Sequence, residues 1–338
     1  MVWVWLKFLL CIAIILLAGT RLARYGDAIG EKTGLGGVWI GLVLLAAITS
    51  VPELVTGISS AALVGLPDLA LGTLFGSCLF NLVILALLDI LRHPTPILSE
   101  VGLRHVVSAG VGILLIAIAG GGILVDEWFS GLALGWVGIP SIIILILYLV
   151  GVRQMSRFER NHPAPLSEAT SPQYAGVPLR TVYFKFGLAA MAVIGAGIWL
   201  SFIGDEIAKG TGWDASFVGS LFLAITTSMP ELVVTISALR MGALDMAVAD
   251  ILGSNMFNIA IIFAVDLFYI QRSILSSVSN IHLITAVVAI VMSAIVLVGL
   301  RFGQNRKTFI FISWYALTLI GLFILGTYVL FTSGIGLD

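Results

Sequence analysis

Apolar residues run along this 338-residue chain in long unbroken blocks, without the short alternation of a half-buried strand or the narrow stripe of a surface helix. About 20 apolar residues cross the hydrocarbon core of a bilayer as a helix. That ruler marks ten candidate spans: 2–20, 37–64, 68–91, 105–125, 130–151, 181–204, 214–239, 244–270, 281–300 and 308–332. The one long hydrophilic stretch is 152–180. It holds Arg153, Arg157, Glu159, Arg160 and four of the ten prolines, Pro163, Pro165, Pro172 and Pro178, so it reads as a linker between a five-span half at 1–151 and another at 181–338. The first apolar block has no basic segment before it and no small-residue cleavage site after it, and is read as a retained span. The pattern predicts an all-α polytopic membrane protein of ten transmembrane helices.

Composition agrees: 59% of residues are hydrophobic and 10% charged, where a soluble domain carries roughly a quarter. Placed on the ten-span layout, fourteen of the seventeen Lys and Arg fall on the face of the linker, leaving Lys7, Lys209 and Arg272 on the other. The positive-inside rule then puts the linker in the cytoplasm and both termini outside. No basic patch with interleaved aromatics points to nucleic acid. Cys11 and Cys78 lie in apolar runs without metal-ligand or disulfide-framework spacing.

The halves repeat one another. Gly26-Asp27, Thr33-Gly34, Gly41, Leu45-Ala46 and Thr49-Ser50-x-Pro52-Glu53-Leu54-Val55 recur 178 residues later, through Thr227-Ser228-x-Pro230-Glu231-Leu232-Val233. After a one-residue slip, Gly65, Asp68, Gly76-Ser77, Phe80-Asn81 and Asp89 recur 177 residues later as Gly242, Asp245, Gly253-Ser254, Phe257-Asn258 and Asp266. Five is an odd number, so the second copy enters the membrane from the opposite side. Two inverted five-helix repeats are an architecture of secondary transporters, which bind substrate near the midplane on interrupted helices.

The repeated residues are polar ones, and they define the candidate chemistry. A glutamate within an apolar span costs several kcal/mol (about 3 on insertion scales) unless a cavity or partner receives it, and no deep Lys or Arg is available to Glu53 or Glu231. Each follows a proline, which removes a backbone hydrogen bond and kinks the helix, releasing carbonyls near Ile48 and Thr226 toward a cation. Thr49, Ser50 and Glu53 cluster on one side of a helix, as do Thr227, Ser228 and Glu231. Ser77 with Asn81, and Ser254 with Asn258, are one turn apart on the following spans and supply a facing wall. Two carboxylates among hydroxyls and amides, with no His or Cys, suit a hard cation such as Ca²⁺ or Na⁺. Taken singly, each hydroxyl reads equally well as a helix–helix hydrogen bond.

These segments, Thr49-Ser-Val-Pro-Glu-Leu with Gly76-Ser-Cys-Leu-Phe-Asn81, and Thr227-Ser-Met-Pro-Glu-Leu with Gly253-Ser-Asn-Met-Phe-Asn258, resemble the cation/calcium exchanger superfamily, the sodium/calcium exchangers and their relatives. The resemblance covers both halves. It implies a ten-helix antiporter that exports Ca²⁺ against Na⁺, K⁺ or H⁺ by alternating access, with the first and sixth spans sliding across the rest. It maps ion ligands to Glu53, Glu231, Thr49, Ser50, Ser77, Asn81, Thr227, Ser228, Ser254 and Asn258, with backbone carbonyls at Ala46 and Ala224. A bacterial or archaeal plasma membrane is the implied location.

The chain departs from the family pattern in three ways. Ile48 and Thr226 stand where Gly usually precedes the Thr-Ser pair. Asn81 and Asn258 stand where many relatives carry a third carboxylate. Gly72-Thr73 and Ala249-Asp250 replace a Gly-Asn pair. Asp250 lies four residues before Ser254 on the same helix stripe, as a third carboxylate of the site or as a vestibule or structural residue. Two glutamates balance one Ca²⁺, two monovalent ions or two protons, so three Na⁺ per cycle would require Asp250. Other polar groups read more plainly. Asp68 and Asp245 are expected to cap their helices, and Asp89 and Asp266 to lie at the interface. His93, His105, His162 and His282 fall at loops or span ends. The expected partners are inorganic cations and bilayer lipid, with no cofactor and no catalysis, and oligomeric state stays open. The competing functions are a channel or exchanger for another hard cation and an intramembrane enzyme, the latter lacking a deep histidine base.

Overall fold

The computed structural model describes residues 1–33, 38–102, 105–128, 133–161, 178–302, 307–309 and 312–334. In the first half, α1 (Val2–Thr33) leads to α2 (Val38–Thr49) and α3 (Val51–Ala62), then α4 (Pro67–Leu91), the short α5 (Ile97–Glu100), α6 (His105–Trp128) and α7 (Ile139–Asn161). A two-residue hairpin, β1 (Ala133–Leu134) with β2 (Val137–Gly138), precedes α7 and occupies the start of the expected fifth span. In the second half, α8 (Leu179–Thr211) is followed by a composite helix: α9 (Ala215–Val218), a π-helical turn (Gly219–Leu223), α10 (Ala224–Thr227) and α11 (Met229–Arg240). Then come α12 (Leu244–Phe268), α13 (His282–Arg301) and α14 (Trp314–Gly334).

Among the described residues, seven helices are long and apolar enough to cross a membrane, and the composite helix makes an eighth with a bend of 43°. The α2–α3 pair and α7 occupy the two remaining positions, so the architecture is compatible with ten passes. Two helices outrun their apolar blocks. α1 continues to Thr33 and α8 to Thr211, because backbone bonding does not stop where charges such as Arg21, Arg24, Asp205 and Lys209 begin. α7 likewise extends to Asn161, into the hydrophilic stretch. His162 lies outside the described residues.

The two copies fold alike where their sequences repeat. Ser50 (φ −86°, ψ 13°) and Ser228 (φ −87°, ψ 11°) interrupt their spans with nearly the same backbone turn. Pro52 and Pro230 sit in the first turn of the helix that restarts, where a missing N–H costs nothing. The expected kink is therefore a stop and a restart. Gly65 (φ 77°) and Gly242 (φ 76°) make the next turn in the left-handed region that glycine tolerates. The one-residue slip of the repeat falls there, between α3 and α4.

The interior is organised around α4 and α12. Both are buried along most of their length, and their apolar side chains form the main core with α6, α13 and α14. A second core joins α1 to α8 and the composite helix. Lys7 and Glu206 bridge α1 and α8 at 2.8 Å.

Four repeated aspartates tie this frame together. Asp68 accepts bonds from Ser279 N (2.7 Å) and from His282 Nε2 (3.1 Å). Its counterpart Asp245 accepts from Gly102 N (3.1 Å) and lies 2.8 Å from His105 Nε2. Both lie in the first turn of their helices, where negative charge suits the N-terminus, but Leu66 and Ala243 hold the cap positions, without a side-chain bond. Asp89, near the end of α4, is fully buried, accepting from Ile97 N (3.1 Å), Ser313 N (3.1 Å) and Tyr315 Oη, with Lys307 Nζ at 3.8 Å. Asp266 takes Ile274 N (2.6 Å) and Gly138 N (2.8 Å).

Candidate functional site

The helix breaks at Ser50 and Ser228 meet between α4 and α12, and there the structure brings together most of the residues singled out from the sequence. Glu53 and Glu231, one turn into α3 and α11, are fully buried, as are Thr49, Ser50, Ser77, Asn81, Thr227, Ser228, Ser254 and Asn258. Breaking the span places the hydroxyl of the cap serine at the mouth of the restarted helix, whose free N–H groups favour negative charge.

The hydroxyls are shared reciprocally between the repeats. Ser228 Oγ donates to Glu53 Oε1 at 2.8 Å, and Ser50 Oγ donates to Glu231 Oε1 at 3.0 Å. Each glutamate is thus held by the serine of the other copy. A second reciprocal pair lies beside the first: Thr49 Oγ1 is 3.5 Å from Ser254 Oγ, and Thr227 Oγ1 is 3.4 Å from Ser77 Oγ. Ser77 Oγ additionally reaches Glu53 Oε1 at 3.4 Å. One oxygen of each glutamate, Oε2, is buried without a partner. An unpaired buried carboxylate oxygen is costly, and here each repeat contributes one.

The carbonyls of Ala46 and Ala224 are engaged locally. Ala46 O accepts from Thr49 Oγ1 (3.1 Å) and Ser50 N (3.1 Å), and Ala224 O from Thr227 Oγ1 (3.2 Å) and Ser228 N (3.0 Å). A cation on either carbonyl would displace the threonine hydroxyl.

Asp250 is fully buried, and neither carboxylate oxygen has a partner. It lies near Glu231, as Glu53 does. Among the described residues, no three Asp, Glu, His or Cys side chains converge on a single point. Its repeat mate Thr73 is satisfied by its own helix, donating to Leu69 O at 2.8 Å.

One residue escaped the sequence reading. Asn255, next to Ser254 on α12, is 4% exposed. Its Nδ2 donates to Cys78 O (3.2 Å), and its Oδ1 accepts from Asn81 Nδ2 (3.0 Å). Cys78 Sγ in turn reaches Asn255 O at 3.7 Å. Cys78 and Asn255 are repeat mates in contact with each other, which places both at the pseudo-twofold centre. Positions 78 and 255, where the repeat puts a thiol against an amide between a matched Gly-Ser and a matched Phe-Asn, were the signal available.

Close packing holds the wall in place. α4 crosses the π-helical turn backbone to backbone. A Cβ on Gly72 would lie 2.7 Å from Ser216 O, and one on Gly76 would collide with the backbone of Ser220.

The family model of the sodium/calcium exchanger protein matches residues 3–153 and 181–334. The inner membrane protein YrbG of Escherichia coli (strain K12) is 27% identical over 253 residues, 74% of this chain and 74% of that one. The solved structure of the H⁺/Ca²⁺ exchanger CAX superposes with a TM-score of 0.74 at 16% identity, covering 99% of this chain and 86% of that one. The sodium–calcium exchanger NCX_Mj gives 0.62 at 18% identity, covering 97% and 98%. Both share the fold.

Proposed function

Because the chain belongs to the sodium/calcium exchanger protein family, we propose that it is a secondary antiporter exchanging Ca²⁺ for a monovalent cation, Na⁺ ahead of H⁺ or K⁺, by alternating access. The observation that carries this reading is the reciprocal bonding of each glutamate to the serine of the other repeat. It leaves two free carboxylate oxygens in one oxygen-lined centre, a donor set that hard cations prefer.

Charge decides how exchange works. Two carboxylates balance one Ca²⁺ or two monovalent ions, and loading both at once would leave excess positive charge in a low dielectric. The two cargoes therefore compete for one centre, which is what antiport requires. The donors are Glu53 and Glu231, with Thr49, Ser50, Ser77 and Asn81 facing Thr227, Ser228, Ser254 and Asn258, and the carbonyls of Ala46 and Ala224 joining when their threonines turn away. Asp250, beside Glu231, adds the third negative charge that a third monovalent ion would need. Pairing across the pseudo-twofold supports alternation, since a shift of one repeat against the other exposes the same ligands to opposite faces.

The five-helix repeats are 1–151 and 181–338, joined by a cytoplasmic linker at 152–180, with both termini outside. The excess of Lys and Arg on the linker side supports this orientation. The name of the E. coli relative supports a prokaryotic plasma membrane. Ca²⁺ uptake into inside-out vesicles, with Na⁺, K⁺ and pH gradients imposed in turn, tests the reading. Uptake into Na⁺-loaded vesicles is expected. Ca²⁺ flux that needs no counter-ion gradient would identify a channel and end it.

A further inference from the structure

The bonds at the pseudo-twofold centre fix the orientation of one site amide and leave its mate free. The fixed acceptor in the chain decides which amide atom is oxygen and which is nitrogen. Cys78 O is a backbone carbonyl and only accepts, so the Asn255 atom 3.2 Å away is its NH₂. The other amide atom of Asn255 is then an oxygen and also only accepts. Asn81, 3.0 Å from that oxygen, therefore presents its own NH₂ to it. Consequently Asn81 Oδ1 points the other way; it is buried and has no partner. The chain of donors starts at a main-chain carbonyl that cannot turn, so the polarity of all three groups is set.

Nothing equivalent serves Asn258. The repeat mate of Asn255 is Cys78, whose thiol is spent on Asn255 O at 3.7 Å. Both amide atoms of Asn258 are buried without a partner.

We infer that Asn255 is a positioning residue for ion binding: it locks Asn81 with its carbonyl oxygen committed to the cation, while Asn258 remains free to rotate. The site is thus chemically asymmetric although its ligand residues are symmetric. Asn81 is a permanent acceptor, which suits the cation-loaded states. Asn258 can present oxygen to a cation or NH₂ to a carboxylate, which suits a site that must also pass through states with different charge. This inference rests on the exchanger reading above.

The test is a double-mutant cycle on the full chain in proteoliposomes, reading the Ca²⁺ concentration for half-maximal uptake. Asn255→Ala raises it about tenfold in the native background, the effect of losing one buried orienting bond. In an Asn81→Ala background it adds no further rise. An equal rise in both backgrounds overturns the proposal, because a merely structural Asn255 would weaken the site whether or not Asn81 is present. Should Asn255→Ala fail to fold, a second comparison decides. Asn81→Asp would set a carboxylate against Asn255 Oδ1, whereas Asn258→Asp meets no fixed acceptor. Asn81→Asp is expected to weaken Ca²⁺-dependent thermal stabilisation about tenfold more than Asn258→Asp, and equal effects overturn the proposal. Glu53→Gln runs alongside. If it keeps gradient-driven exchange, the ion-site reading itself is wrong; if it is inactive while Asn255 acts independently of Asn81, only the positioning role falls.

Discussion

At Ser50 and at Ser228 the chain takes almost the same backbone turn, but the helices that arrive there differ. α2 reaches Ser50 as a regular helix from Val38, whereas the composite helix reaches Ser228 through a π-helical turn at Gly219–Leu223. The facing helices differ to match. In the first half α4 brings Gly72 and Gly76 against the backbone of Ser216 and Ser220. In the second half α12 has Ala249 and Gly253 at those positions, and a Cβ on Gly253 would meet only the Cβ of Ala46, at 3.0 Å. The two glutamates and the hydroxyls bonded to them repeat faithfully, as a shared ion site would require of both sides. The packing beneath them has diverged, since each copy has only to hold its own ligands in place. Duplication has preserved the chemistry and released the scaffold.

Three measurements bear on that contrast. The largest effect tests the shared part. Glu53→Gln and Glu231→Gln are each expected to abolish exchange, by about a hundredfold or more, since either removes half the negative charge of a centre that binds a divalent ion. Ca²⁺ uptake in proteoliposomes reads it, and retained exchange in both variants would refute the site. The next tests the divergent part through stability. Gly76→Ala forces a Cβ into backbone and is expected to cost about 3 kcal/mol, while Gly253→Ala costs about 1 kcal/mol. Thermal unfolding in detergent compares the two, and equal costs would show that the crossings are equivalent after all. The smallest concerns Asp250, which has no acidic mate. Asp250→Asn is expected to keep exchange but to move two monovalent ions per Ca²⁺. Reversal potentials decide; an electrogenic exchange of three to one in that variant would exclude Asp250 from charge balance.

The sequence made the site legible for a physical reason. Oxygen-bearing side chains are rare in apolar spans, so Glu53, Glu231 and their hydroxyl neighbours stand out, and their repetition shows that the two sets belong together. The architecture followed from the same apolar blocks. Helix ends were less legible, because a hydropathy ruler stops at charge whereas α1 and α8 continue through it to Thr33 and Thr211. The roles of Asp68 and Asp245 were also hidden. A helix N-terminus is a sound local reason for an aspartate, but their real partners, His282 and His105, lie far away along the chain. The histidines are themselves separated by the repeat offset of 177 residues, a signal that becomes visible only when residues outside the motifs are aligned. Asn255 was the hardest to see. Its partners, Asn81 and the main chain of Cys78, are in the other half, and the contact across the pseudo-twofold shows along the sequence only as the mismatch of Cys78 with Asn255.

The crossed serines carry a consequence for how such a chain could arise. In either copy alone, the glutamate lacks its shortest hydroxyl partner, since Ser228 serves Glu53 and Ser50 serves Glu231. A single five-helix unit is a half-finished receptor. It becomes complete only when an identical unit lies against it upside down, as an antiparallel homodimer would. The fused chain makes that encounter permanent, and so frees each partner to specialise without ever having to find the other.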